Sequence, residues 1–268
     1  MIDRTAPETR PGRVLAITGT STDVGKTIVT AALAAGLGEL KISVAVCKPA
    51  QTGVGSDEPG DLAVIGALAG PVTTAECARY PEPLAPDTAA RRSGLPQLDL
   101  HTVVNTVADL AAYHDLVLVE GAGGVMVRLA DSLTLRDVAA AFAADVVVVV
   151  PAGLGALNHA ELTVDALRAR GLTPAGLVIG SWPVETDLAM TCNRTDLPRV
   201  TGVPVVGVIP EGAGALDPAT FRRDAPSWFD PTWLRTLAPT APASSPTAPV
   251  PSPTAPTPSL TAPTSSLT

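Results

Sequence analysis

The sequence predicts an α/β fold, a mostly parallel sheet with helices on both faces, and three observations predict it. Short apolar runs recur at 14–17, 42–46, 116–119, 146–150, 177–179 and 205–209. They lack polar alternation, as strands buried on both faces do. Segments with apolar residues at helical spacing lie among them, at 28–37, 61–68, 98–113, 134–143 and 157–170. Strands alternating with helices form parallel sheets covered on both sides. Lastly, the first run breaks into a small-residue loop ending in Gly25-Lys26-Thr27, just where the first helix begins.

That strand, loop and helix form a phosphate-binding unit, which makes the chain a P-loop NTPase-like single domain. Backbone N–H groups of the loop turn toward phosphate oxygens, and the helix adds its positive N-terminus. Lys26 reaches the terminal phosphates and the Thr27 hydroxyl is placed for Mg²⁺. Thr20 stands where such loops usually carry their first glycine.

The run at 42–46 reads as a second strand that ends in Cys47-Lys48-Pro49, followed by a turn at Gln51-Thr52-Gly53. After a loop at 57–60, Asp61 opens a helix, either as its N-cap or as a metal ligand. The proline-rich stretch 80–86 is an extended connection. The strand at 116–119 runs into Glu120-Gly121-Ala122-Gly123-Gly124. This is not a dinucleotide fingerprint, because Met126 occupies the place of the third glycine. A carboxylate at a buried strand end is instead positioned for Mg²⁺. Lys26, Lys48, Glu120 and the loop Gly153-Leu154-Gly155 all follow strand C-termini, where ligands of such sheets collect. Two lysines at one phosphate would stabilise charge on a transferred phosphoryl group.

With 268 residues, 46% of them apolar, the chain can bury a full core. Its net charge of -8 gives no electrostatic footprint for nucleic acid or an anionic membrane. Neither partner is expected, and the valine run at 146–150 is too short to span a bilayer. Cys47, Cys77 and Cys192 show no CxxC spacing, which fits a reducing cytoplasm. His101, His114 and His159 share no metal-ligand spacing. Residues 1–12 read as a flexible extension without a secretory h-region, 13–237 as the α/β domain, and 238–268 as a disordered Pro/Ala/Ser/Thr tail.

Taken together, the loop from Gly19 through Thr27, Cys47-Lys48-Pro49 with Thr52-Gly53, Glu120-Gly121-Ala122-Gly123-Gly124, Gly153-Leu154-Gly155-Ala156-Leu157-Asn158-His159 and Gly207-Val208-Ile209-Pro210 resemble the dethiobiotin synthetase family, in that family's order. The resemblance implies closure of the ureido ring of dethiobiotin from 7,8-diaminopelargonate, CO₂ and ATP with Mg²⁺, through a carbamate and a carbamic-phosphoric anhydride. It further implies that Asp23, Val24, Gly25, Lys26, Thr27 and Ile28 bind the triphosphate, and that Thr27, Asp61 and Glu120 serve Mg²⁺. Lys48 is then the catalytic lysine, with Lys26 beside it. Thr22 and Thr52 touch substrate, and Gly121, Ala122 and Gly123 line the ligand. Leu157 and Asn158, from a neighbouring subunit, receive the substrate carboxylate, which makes a homodimer the expected assembly.

Two departures from the family pattern bear on ligands. An Asn-Asp pair suited to adenine is replaced by Gly180-Ser181, leaving mainly backbone groups there and at Pro210, Glu211 and Gly212. Relaxed base selectivity follows, with CTP or other nucleoside triphosphates accepted beside ATP. A substrate-carboxylate tyrosine has no counterpart, and Asn193 is its substitute. The rival readings are a partition- or placement-type switch ATPase and a cobyrinate-type amide ligase. The first carries a second lysine inside the phosphate loop, and the second needs a further glutamine-hydrolysing domain.

Overall fold

The computed structural model describes residues 11–238. All but the first residue of the expected tail at 238–268, and residues 1–10 of the 1–12 extension, lie outside the described residues.

Seven parallel strands form the main sheet in the order β3-β2-β4-β1-β7-β8-β9. They are β1 (Arg13–Gly19), β2 (Val44–Thr52), β3 (Thr73–Tyr80), β4 (Leu116–Gly124), β7 (Asp145–Val150), β8 (Pro174–Trp182) and β9 (Val205–Pro210). A small antiparallel pair, β5 (Arg128–Ala130) and β6 (Leu133–Thr134), lies between β4 and β7. Central strands are buried on both sides. In β1, Leu15 and Ile17 enter one core and Ala16 the other. The first core is covered by α1 (Lys26–Glu39), α2 (Asp61–Ala69), α8 (Pro218–Asp224) and α9 (Pro231–Thr236). The opposite face is covered by α3 (Pro86–Ser93), α4 (Leu100–Ala111), α5 (Leu135–Ala141), α6 (Ala156–Arg168) and α7 (Leu188–Thr201).

Two differences from the sequence reading shape the site. Of the turn expected at Gln51-Thr52-Gly53, Gln51 and Thr52 are still strand, because β3 pairs with β2 as far as Thr52↔Tyr80, and the chain turns only at Gly53, whose φ is 79°. Pairing of β2 with β4 ends earlier, at Cys47↔Val119. Lys48 and Glu120 are the next residue on each strand, so their side chains meet where the two strands part. In addition, Cys47 and Cys77, distant in sequence, lie on neighbouring strands as free thiols in hydrogen-bond contact, their sulfurs 3.9 Å apart.

Candidate active site

The carboxyl ends of β1, β2 and β4 open into a cleft of about 400 Å³. Twelve of the expected residues line it: Thr22, Asp23, Gly25, Lys26, Thr27, Ile28, Lys48, Thr52, Asp61, Glu120, Ala122 and Gly123. Its floor is the loop between β1 and α1. Asp23 and Gly25 both have positive φ, 58° and 91°. Such left-handed residues let a tight turn direct successive N–H groups inward. Gly25 also has a packing reason, since a Cβ there would stand 2.6 Å from the Gly180 carbonyl oxygen. The Lys26 ammonium donates to the Ser21 carbonyl, 3.1 Å away, and so bridges the loop it closes.

Above the loop, Lys48 is held by two carboxylates. Its Nζ lies 2.5 Å from Asp61 Oδ2 and 2.8 Å from Glu120 Oε1, and it donates more weakly to the Gly121 carbonyl at 3.4 Å. Burial alone favours the neutral amine, but the charges and hydrogen bonds of Glu120 and Asp61 outweigh it and raise the Lys48 pKa above its ordinary value. Lys26 goes the other way. Burial and the neighbouring Lys48 charge lower its pKa, against Glu120, Asp61 and Asp23. The two lysines are therefore unlike: its carboxylate neighbours favour the charged form of Lys48, whereas burial and the Lys48 charge disfavour that of Lys26.

Glu120 is wholly buried. Its Oε1 accepts from the Thr27 hydroxyl at 3.1 Å and from Lys48, while Oε2 has no partner among the described residues. An orphaned buried carboxylate oxygen is costly unless a cation or donor arrives. The hard-oxygen set of Thr27, Asp61 and Glu120 matches Mg²⁺, which takes one or two carboxylates and completes its shell with phosphate and water. Of the two roles open to Asp61, N-cap is set aside. The N-cap of α2 is Gly60, and the Asp61 carboxylate turns to Lys48 instead.

The remaining expected residues lie elsewhere. Val24 is buried in the core beneath the loop, and Gly121 packs against Leu135. Gly180 is buried where β8 meets the phosphate loop. A Cβ there would be 1.9 Å from the Val24 carbonyl oxygen, so this backbone admits only glycine. Ser181, Pro210, Glu211 and Gly212 are exposed at the ends of β8 and β9, joined by the Glu211 N–H donating to the Trp182 carbonyl at 2.8 Å. The loop Gly153-Leu154-Gly155 does not line this cleft, contrary to the single crevice expected for it. Leu157 is half-buried and Asn158 exposed at the start of α6. Asn193 is buried, with its amide donating to the carbonyls of Ala152 and Gly153 at 2.8 Å each, so it braces the approach to α6. One cleft residue the motifs did not reveal is Gln51, hidden because its neighbourhood read as a turn.

A family model described as an AAA domain matches residues 13–218. The chain is 62% identical over 224 residues to the ATP-dependent dethiobiotin synthetase BioD of Rhodococcus jostii, spanning 83% of this chain and 97% of that protein. The Rhodococcus erythropolis protein of the same name is 60% identical over 214 residues, spanning 79% and 94%. Among solved structures, the septum site-determining protein MinD of Pyrococcus horikoshii, complexed with Mg-ADP, superposes with a TM-score of 0.54 at 16% identity over 84% of this chain and 94% of that one. The MinD likeness carries the fold and does not favour a partner-binding switch. Identity of the higher order, along nearly the whole length of the relatives, is decisive: the chain belongs to the dethiobiotin synthetase family.

Proposed function

We infer that this chain is an ATP-dependent dethiobiotin synthetase of biotin biosynthesis, an enzyme that closes a ureido ring on 7,8-diaminopelargonate with CO₂. The single observation that carries the chemistry is the buried Lys48 ammonium shared by Asp61 and Glu120 at the mouth of the phosphate loop. One amine of the diamine takes up CO₂ as a carbamate. The carbamate oxygen then attacks the γ-phosphate, and the second amine closes the ring and expels phosphate. No step needs a protein nucleophile; positioning and charge neutralisation suffice.

The residue roles follow from that arrangement. The loop from Asp23 through Ile28 grips the triphosphate, with Lys26 on its terminal phosphates once released from the Ser21 carbonyl. Lys48, held protonated by its two carboxylates, acts as a cation beside the carbamate and γ-phosphate oxygens rather than as a base. Thr22 and Thr52 flank the diamine end of the cleft. Thr27, Asp61 and Glu120 would hold Mg²⁺, which supplies charge neutralisation to the phosphates when bound.

A homodimer completes the reading. Asn158, in the first turn of α6, is exposed, no side chain caps that helix, and its start lies outside the cleft, as a group serving a neighbouring subunit's site would. Nearby, Leu154, Leu162 and Met126 expose 91%, 61% and 50% of their surface, which supports an apolar contact between copies.

Phosphate release measured with and without diaminopelargonate plus bicarbonate tests the activity. Release should depend on both; turnover indifferent to the diamine would return the chain to the switch ATPases.

A further inference from the structure

Asp61 stands opposite Lys48, but α2 has no side-chain cap of its own to hold it there, since its N-cap is Gly60. The N–H groups at a helix start need an acceptor from somewhere. For Asp61 that acceptor comes from another element: Gln51, on β2 three residues beyond Lys48, accepts from the Asp61 N–H at 2.9 Å through its Oε1. The other end of the same amide donates to the Thr52 carbonyl at 3.0 Å. With one end accepting and the other donating, the amide has a single orientation. Gln51 is 5% exposed, so neither contact competes with bulk water. Gly60 leaves it room, for a Cβ at that position would come within 2.7 Å of Oε1. Arg79 on β3 pins the middle of the intervening loop, donating from NH1 to the carbonyls of Gly55 at 2.9 Å and Glu58 at 2.7 Å.

We propose that Gln51 is a positioning residue for phosphoryl transfer: from the strand that carries Lys48 it caps α2, and so fixes the Asp61 carboxylate against that lysine. The proposal rests on Asp61 serving the triphosphate end of the site. Strand and helix start then move as one body, and the distance between ammonium and carboxylate does not depend on how the 53–60 loop fluctuates.

The test compares Gln51→Leu, Asp61→Asn and the double variant with the wild-type enzyme, reading kcat, the KM for the diamine, and backbone hydrogen exchange over 53–69 without nucleotide. Gln51→Leu keeps the bulk and loses both hydrogen bonds. It should lower kcat by about 10- to 100-fold, the scale of a misplaced site group, leave KM for the diamine within about twofold, and speed exchange at the start of α2. In the Asp61→Asn background the same change should cost less than about twofold, because no carboxylate remains to be positioned. An equal loss in both backgrounds would mean that Gln51 is merely structural, and an unchanged kcat or unchanged exchange in Gln51→Leu would also overturn the proposal. Wild-type turnover by Asp61→Asn removes the role of Asp61 and the proposal with it, whereas a slow Asp61→Asn beside a fast Gln51→Leu sinks the proposal alone. Should Gln51→Leu not fold, Gly60→Ala crowds the same bond and should reproduce the fall in kcat; wild-type kcat there would count against it.

Discussion

Lys26 and Lys48 were legible in the sequence because each follows a buried strand, and strand ends are where this class of sheet presents ligands. Their different electrostatics were not legible, since these depend on Glu120 and Asp61 arriving from 72 and 13 positions away in the chain. Lys48→Ala and Lys26→Ala should each lower turnover by about 10²–10³, with an unchanged circular dichroism spectrum. Near-normal turnover in the Lys48 variant would remove it from the chemistry. The lowered pKa of Lys26 adds a pH test. Nucleotide affinity should be held at low pH and lost as pH rises through a value below the ordinary lysine pKa of 10.5, whereas Lys26→Arg should flatten that limb. Gly180 belongs to the same scale. The sequence showed a missing side chain, and the reason appears only in three dimensions, where the Val24 carbonyl fills the space. If the base sits against Gly180, Ser181 and the backbone of Pro210–Gly212, as the family pattern implies, the site reads mainly shape, worth about 1–3 kcal/mol of discrimination. Titration calorimetry should find CTP, UTP or GTP binding comparably to ATP or better. ATP tighter than all three by about a hundredfold, close to 3 kcal/mol, would mean that backbone groups read adenine unaided.

Among elements, the buried strands β1, β4 and β7 were visible as apolar runs, but β3 was not. It is an edge strand, half-exposed along most of its length, and Thr73–Tyr80 carries no such run. Likewise α7 was missed because Pro198 lies inside it and its apolar residues are sparse. The signal that would have helped was Asp187, which caps that helix by accepting from the Met190 N–H at 2.7 Å. Capping also decides the stability of α5. Thr134 and Asp137 form a capping box, and Asp137 reaches Arg170 beyond α6 at 2.9 Å. Burial works against the Asp137 carboxylate, but Thr134, Arg170 and Arg136 prevail and lower its pKa below 3.8. A carboxyl group stabilised in the folded state contributes above its unfolded pKa, and the contribution fades as pH falls through the lowered folded value. Asp137→Ala should therefore cost about 1 kcal/mol near neutrality, a drop in Tm of about 2–4 °C for a chain of this size. That difference should shrink in acid below about pH 4. Equal Tm values for both proteins at pH 7 would show that the box contributes nothing.

For the molecule as a whole, the chain holds the phosphate loop, both lysines and the oxygens proposed for Mg²⁺ in one cleft, yet the start of α6, with Asn158 exposed, does not line it. The sequence could not indicate that separation, because Glu120 and Asn158 both follow strand ends and nothing local distinguishes the two. Their strands lie on opposite sides of β1, β4 toward β2 and β7 toward β8. If the α6 end completes the site of a second copy, defects in the two regions sit on different chains of any one site and can compensate. Lys48→Ala spoils a subunit's own cleft, while Asn158→Asp spoils what it lends, by placing a negative charge where the substrate carboxylate would bind. Each variant alone should be nearly inactive. Mixed in equal amounts under conditions that exchange subunits, they should form heterodimers in which one site carries both lesions and the other neither, restoring about one quarter of wild-type activity by random pairing of a two-fold dimer. A mixture no more active than its parts, with exchange verified by mass spectrometry of the intact dimer, would show that each cleft is served by its own α6. Sedimentation showing an active monomer at assay concentration would dispose of the dimer altogether.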